Sequence, residues 1–396
     1  SLLAAAAYTI YCLRHGSVFA AGMSIASLEG REGENGMGLQ LVPAPTLTPS
    51  AALQRPPIPV HVAREPQAKD TAFASSTSVG SGKLVEGHAQ AELQQRVAVL
   101  VSGTLQRFFL NSTAEGFVAP MVRQGHQVDC FLGLSTEAFI PWRPSASSFV
   151  PDPMLAGNTE SEAAATVEHA LAAAGGHLRH FRLLGKVSLD SNNEQRFLQK
   201  GGWHRREVKE KGKAQVRVAR NNALKVFKVL EQLWHELEFV EQRAGLLYTY
   251  VAIVKDDAFW LHAFDLLELL ALPNRSTYVA PPGLRPPLKS ARGFAFSMDC
   301  QPGRSTCPTT PKTVTEYFLL VERRVAEPFG RQYSNLFGQR SKRYFAMHNM
   351  ESYLAALAVD TGTWIASAPA RLIPLVRAGR RIQPNGSMMV CLHKVC

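Results

Sequence analysis

At 396 residues the chain is long enough for one large α/β domain with appendages or for two domains, and its 46% apolar content is that of a globular protein, not of one disordered throughout. A formal net charge of +11 points either to an anionic partner (nucleic acid, phosphate groups, a membrane surface) or to a basic and merely soluble surface. The six cysteines contain no C-x-x-C pair, and the spacing of Cys300 and Cys307 is not that of zinc ligands, which argues against a zinc site.

Residues 1–13 are apolar until Arg14 and His15 intervene, a run shorter than the roughly 20 residues that span a bilayer. They suit the tail of a signal-anchor, the remains of a signal peptide, or a buried or interfacial helix. The stem-like composition of the next segment favours an anchor over residues 1–22. From 23 to 95, Pro, Ser, Ala and Gly dominate and no apolar periodicity survives, so a disordered stem is expected. Sequons at Asn111, Asn274 and Asn385, together with the apolar start, lean towards the lumen of the secretory pathway. Cys300 with Cys307, and Cys391 with Cys396, are each close enough in sequence to close a small loop, and the pairing stays open.

Order is expected from 96 to 396. Residues 97–101 (VAVLV) form a buried strand candidate that runs into Ser102, Gly103 and Arg107. Glycine lets backbone amides approach a phosphate and arginine pairs with it; a plain strand-to-helix turn would look the same. A helix over 113–124, stopped by Gly125, leads to a strand over 128–134, and this β-α-β order favours a parallel sheet with right-handed crossovers. A helix over 160–174 and a short strand over 181–184 come next. The basic run from Lys200 to Lys228 admits a nucleic-acid reading. Its second half overlaps an amphipathic helix carrying Phe227, Leu230, Leu233, Trp234, Leu237 and Val240, so a helix packed on a sheet is the better account and no nucleic acid is expected as partner.

The most informative stretch is 248–260. A β-branched and aromatic run ends in Lys255, Asp256 and Asp257, as a strand buried on both faces would. Its carboxyl end is where open α/β sheets bind ligands. Adjacent carboxylates repel, and a divalent cation between them and a phosphate-bearing ligand would relieve this. The competing reading is a helix start with an aspartate cap. The aromatic residues after the pair suit a pocket wall. Beyond them come a helix over 261–272, a strand over 277–280, a Pro- and Gly-rich loop over 281–311, a strand over 317–321 and a helix over 326–336. Asn349 is placed to cap a helix whose first turn holds Glu351, either complementing the helix dipole or serving as a catalytic base. The tail carries Arg371, Arg377, Arg380, Arg381, His393 and Lys394; it closes over an anionic ligand or is an ordinary basic tail.

A pattern emerges from the order of these pieces. A Val-rich strand leads to Ser-Gly and Arg-Phe, then to Gly125-His126-x-Val128-Asp129 and a long helix with Trp234. Next come Lys255-Asp256-Asp257-Ala258, Asn349-x-Glu351-x-x-Leu354 and a tail ending Cys391-x-His393-Lys394-x-Cys396. The order resembles the nucleotide-diphospho-sugar transferase-like proteins of algae, plants and large viruses, glycosyltransferases of the A-type fold. The resemblance covers 96–396. It implies a single Rossmann-like α/β domain with a mostly parallel central sheet, moving a sugar from a nucleotide-sugar donor to a hydroxyl on a glycan, glycoprotein or glycolipid. Asp256 and Asp257 would then hold Mn2+ or Mg2+ with the donor diphosphate, and His393 would complete the metal site. Ser102, Gly103, Arg107 and Lys255 would face the nucleotide, and Glu351, with Asp257, would carry the chemistry. A Golgi or other secretory membrane, reached through the anchor as a type II protein, is the implied location. A non-catalytic carbohydrate-binding or interaction protein of the same fold is the alternative.

Overall fold

The computed structural model describes residues 95–137, 151–204, 208–271, 293–296, 317–363, 365–368, 372–382 and 388–392. The expected anchor, the stem up to residue 94, the strand at 277–280, most of the 281–311 loop, two of the three sequons and His393 lie outside these residues. Among the described residues, no helix is long and apolar enough to cross a membrane.

In chain order the elements are β1 (Arg96–Thr104), a short 3-10 turn Leu105–Arg107, a π-helical segment Ser112–Val118, α1 (Ala119–Arg123), β2 (Gln127–Ser135), α2 (Glu160–Ala173), β3 (His177–Leu184), α3 (Asn192–Lys200) and α4 (Val208–Ala244). They continue with β4 (Tyr250–Lys255), β5 (Ala258–Trp260), α5 (Leu266–Leu270), β6 (Gly293–Phe296), β7 (Phe318–Glu322), α6 (Arg323–Gly330), α7 (Gln332–Phe337), α8 (Ser341–Phe345), α9 (Met350–Asp360), β8 (Ile365–Ala368), β9 (Leu375–Ile382) and β10 (Met388–Leu392).

The fold is mixed α/β. A seven-stranded sheet has the order β3-β2-β1-β4-β7-β6-β8, and β10-β9-β5 form a smaller sheet. Strands β3, β2, β1 and β4 run parallel, β7 is antiparallel to β4 and β6, and β6 pairs parallel with β8. The central strand β1 is buried from Val97 to Gly103, as a strand covered on both faces requires. Its residues alternate between two cores with the strand's period of two. Val97, Val99 and Val101 pack with Phe117, Trp260 and Phe318 on one side. Ala98 and Leu100 face Phe227, Leu230, Trp234 and Tyr353 on the other. The apolar stripe of α4 supplies much of that second core, as its spacing predicts. Gly245, at φ +63°, ends α4 in a conformation that suits glycine.

Three elements depart from the sequence reading. The expected helix at 261–272 shrinks to α5, which Asp265 caps by accepting from the Glu268 amide at 2.8 Å. Residues 261–265 before it stay irregular, because Phe264 packs on Phe117 and its amide donates to the Gly116 carbonyl at 2.9 Å, while Trp260 in β5 is drawn into the same core, stacked on Phe117 at 4.3 Å between centroids. That packing outweighs helical propensity and removes Trp260 from any pocket wall. The helix expected at 326–336 is two helices, α6 and α7, joined at Arg331 (φ −94°, ψ 40°). The strand after the long loop, β7, is antiparallel to β4.

Strand β1 is followed on one side by β2 and β3 and flanked on the other by β4. This reversal of strand order is a topological switch point, and a crevice opens outside the carboxyl ends of the two strands there. The register Ser102↔Lys255 brings the Ser102-Gly103 turn beside the Asp256-Asp257 pair.

Candidate functional site

A cavity of about 290 Å³ sits at this switch point. Gly103, Thr104 and Arg107 from the end of β1, and Lys255 from the end of β4, form its floor. Ser135 and Glu137 beyond β2 and Lys225 on α4 form one wall, and Tyr317, Arg377 and Glu351 complete the lining. Lys225 pairs with Glu137 across that first wall. The lining thus carries Arg107, Lys225, Lys255 and Arg377 against Glu137 and Glu351, an excess of cationic side chains where an anionic group would sit.

The two aspartates stand one layer behind this lining, each about 1% exposed. The Arg107 guanidinium grips Asp256 with two bonds, Nε to Oδ2 at 2.9 Å and Nη2 to Oδ1 at 2.6 Å. The Thr104 amide and hydroxyl also donate to Asp256 Oδ2, at 2.7 and 3.1 Å. Asp257 Oδ2 accepts from Arg377 Nε at 2.7 Å and Arg107 Nη1 at 3.3 Å. Its Oδ1 is buried and has no partner among the described residues. Burial alone would raise the Asp257 carboxyl, but Arg377, Arg107 and Lys255 together outweigh it and hold the group well below the usual aspartate range. Arg377 is held in turn by the Tyr317 hydroxyl, which accepts from Nη1 at 2.8 Å, and by the Tyr317 ring 4.6 Å beneath it. The Lys255 ammonium lies 5.2 Å from the same ring.

Gly103 explains how the strands approach so closely. A Cβ there would lie 2.1 Å from Asp256 Cγ, so any side chain would expel the carboxylate from its place.

Of the residues expected at the site, Gly103, Arg107, Lys255 and Glu351 share the cavity lining. Ser102 lines an adjoining void of about 20 Å³ that shares Val226, Lys255 and Met350 with this cavity. Asp256 and Asp257 reach the turn as expected but turn their oxygens to arginines. His393 lies outside the described residues. Glu351 is in the first turn of α9, whose Asn349 cap accepts from the Ser352 amide at 2.9 Å. The expected cap therefore exists.

As folded, these residues do not fit a divalent cation. Magnesium and calcium each ask for six or more oxygens around one point. Here Asp256 has both oxygens engaged, Asp257 offers one, and no three His, Cys, Asp or Glu side chains among the described residues converge as a metal cluster.

Several lining residues carry no sequence signal. Thr104 matters because its amide reaches Asp256. Lys225 belongs to a basic run that otherwise reads as a solvated helix face. His204 adopts φ +58°, uncommon for a residue with a Cβ, and its amide donates to the His348 carbonyl at 2.6 Å. A second bond, from the Gly202 amide to the Phe345 carbonyl, zips this loop to the one preceding α9. His204 and Glu351 thereby reach the same cavity.

No protein-family model matches the chain, and neither does any curated protein. Among solved structures, the glycosyltransferase GlyE of Streptococcus pneumoniae TIGR4 aligns with 70% of this chain at 10% identity and a TM-score of 0.31. The alignment takes in 46% of the GlyE chain, so this chain spans less than half of that structure. So loose a superposition carries no weight for function.

Proposed function

We propose that the chain is a glycosyltransferase, moving a sugar from a nucleotide-sugar donor to a hydroxyl acceptor on a glycan or glycoconjugate. One observation carries the reading: at the switch point, a cavity lined by Arg107, Lys225, Lys255 and Arg377 also receives the carboxylate-bearing Glu351. Departure of a nucleoside diphosphate develops negative charge on its phosphates, and fixed guanidinium and ammonium groups stabilise that charge as it forms. The floor at Thr104, Arg107 and Lys255 is the phosphate end. Glu351, in the first turn of α9, would take the proton of the acceptor hydroxyl as the new glycosidic bond forms. The nucleoside would lie over β1 and β2, towards Ser135 and α4. A secretory location, supported by the apolar residues 1–13 and the sequons, belongs to the same reading. Asn111 is the sequon asparagine that is described, and it is exposed.

A screen of nucleotide sugars tests this, run once in chelator and once with manganese. One donor should raise the melting temperature and release its nucleoside diphosphate. At a ligand concentration of 100 times Kd the stabilisation is about 2.7 kcal/mol, easily seen. A flat response to every donor in both buffers overturns the reading.

A further inference from the structure

We infer that Asp256 and Asp257 are the buried counterions of two arginines and that Arg107, Arg377 and Lys255 hold the donor diphosphate in place of a divalent cation. The inference rests on the reading of the cavity as a nucleotide-sugar site and deepens it. An aspartate pair at the end of a sheet strand suggests metal ligands only while its oxygens are open. Here Arg107 spans both carboxylates, with Nε and Nη2 on Asp256 at 2.9 and 2.6 Å and Nη1 on Asp257 at 3.3 Å. Arg377 takes Asp257 Oδ2 through Nε and Nη2, both at 2.7 Å. The acids are buried behind, and the two arginines reach the cavity wall with Lys255.

This arrangement orders the charges for anion binding. Each carboxylate fixes the orientation of a guanidinium, and the Tyr317 hydroxyl fixes Arg377 further. A planar guanidinium so fixed presents its remaining surface to a phosphate without losing side-chain freedom on binding. A cation seeking Asp257 Oδ1 would instead meet two guanidiniums already bonded to the neighbouring oxygen, and would be repelled by both. The unpartnered Oδ1 is what remains when one carboxylate serves two arginines through a single oxygen.

Two measurements on the full chain test this. Manganese alone is titrated into chelator-stripped protein and the free-ion electron paramagnetic resonance signal is followed; it should grow with no equivalent lost. Inorganic pyrophosphate is titrated calorimetrically in excess EDTA; it should bind. Arg377→Gln should weaken pyrophosphate binding by about tenfold, one charge-assisted contact's worth. Asp257→Asn, which removes the charge that fixes Arg377 but keeps an accepting oxygen, should weaken it by less than Arg377→Gln does. Uptake of one manganese by the protein alone overturns the inference, as does pyrophosphate binding that requires manganese or is absent under both conditions. None of these depends on a variant's folding, since each is read on the unaltered chain. They leave the glycosyltransferase reading standing, which fails instead on the donor screen.

Discussion

Arg107 Nη2 lies 2.6 Å from Asp256 Oδ1 while its Nε lies 2.9 Å from Oδ2, so two side chains 149 positions apart are locked in a planar, two-bonded pair between β1 and β4. Arg107 is about 3% exposed and Asp256 about 1%. Removing one partner of such a pair strands a buried charge, which costs about 3–5 kcal/mol. Arg107→Met should therefore lower stability by that order in urea unfolding. Adding Asp256→Leu should recover part of the loss, because no charge is then left unpaired. Strict additivity in the double-mutant cycle would count against the pairing.

Gly103→Ala probes the same junction from the backbone. The new Cβ would sit 2.1 Å from Asp256 Cγ and 2.4 Å from its Cβ, so the strand ends must part or the carboxylate must move. Overpacking of this kind costs about 1–3 kcal/mol. The expected result is a lower melting temperature together with weaker pyrophosphate binding, since displacing Asp256 also displaces Arg107. An unchanged melting temperature would show that β1 and β4 are not held this closely.

How much of this is legible from sequence alone depends on distance along the chain. Strands β1, β2 and β4 are readable because each carries a largely apolar run, and α4 because its apolar residues recur at helical spacing; β3 mixes His and Arg with its apolar residues, so only its end at 181–184 is legible. The Asn349 cap is local and also readable. Arg377 is visible only as one of several tail arginines. It lies 120 positions beyond Asp257 and arrives through the antiparallel register Ala258↔Arg377 and the bond from the Ala378 amide to the Asp257 carbonyl at 3.0 Å. Such a pairing leaves no local trace in either segment. The same holds for Tyr317 and Thr104. The adjacent aspartates point to a strand end correctly, but two acids side by side suggest a cation equally well as two arginines, and only the tertiary register separates the choices. The 261–272 segment misleads because a run rich in leucine suits a helix, while Phe264 within it is recruited by Phe117 and Phe318.

The acid limb of the stability profile should carry the signature of Asp257. Its folded carboxyl titrates below the ordinary value of 3.8: burial opposes ionisation, and Arg377, Arg107 and Lys255 outweigh it. A depressed folded value means that the ionised group contributes stability fully above 3.8. That contribution is lost as the pH falls below 3.8 and through the folded value, because the unfolded chain takes up the proton first. Urea midpoints between about pH 5 and pH 2 should fall for the unaltered chain and fall less steeply for Asp257→Asn. Parallel curves would mean that Asp257 is not ionised in an arginine cage.

Glu351 is where binding and chemistry separate. It lines the same cavity as Arg107 and Lys255, on a helix whose start is capped by Asn349, so Glu351→Gln keeps the size of the side chain and leaves the cap intact. If the carboxylate accepts the acceptor's proton, the amide cannot, and transfer should slow by about 10²–10⁴-fold. Donor affinity should stay within about threefold, because the phosphates are held elsewhere. The measurement is kcat for transfer beside the donor Kd from calorimetry, once the screen has supplied a donor. A helix-dipole role would instead predict a small loss of stability, about 0.3–1 kcal/mol, with kcat intact. A fall in donor affinity with kcat unchanged would place Glu351 against the donor and leave the proton acceptor to be sought at His204, which the zipped 202–204 loop brings to the same cavity.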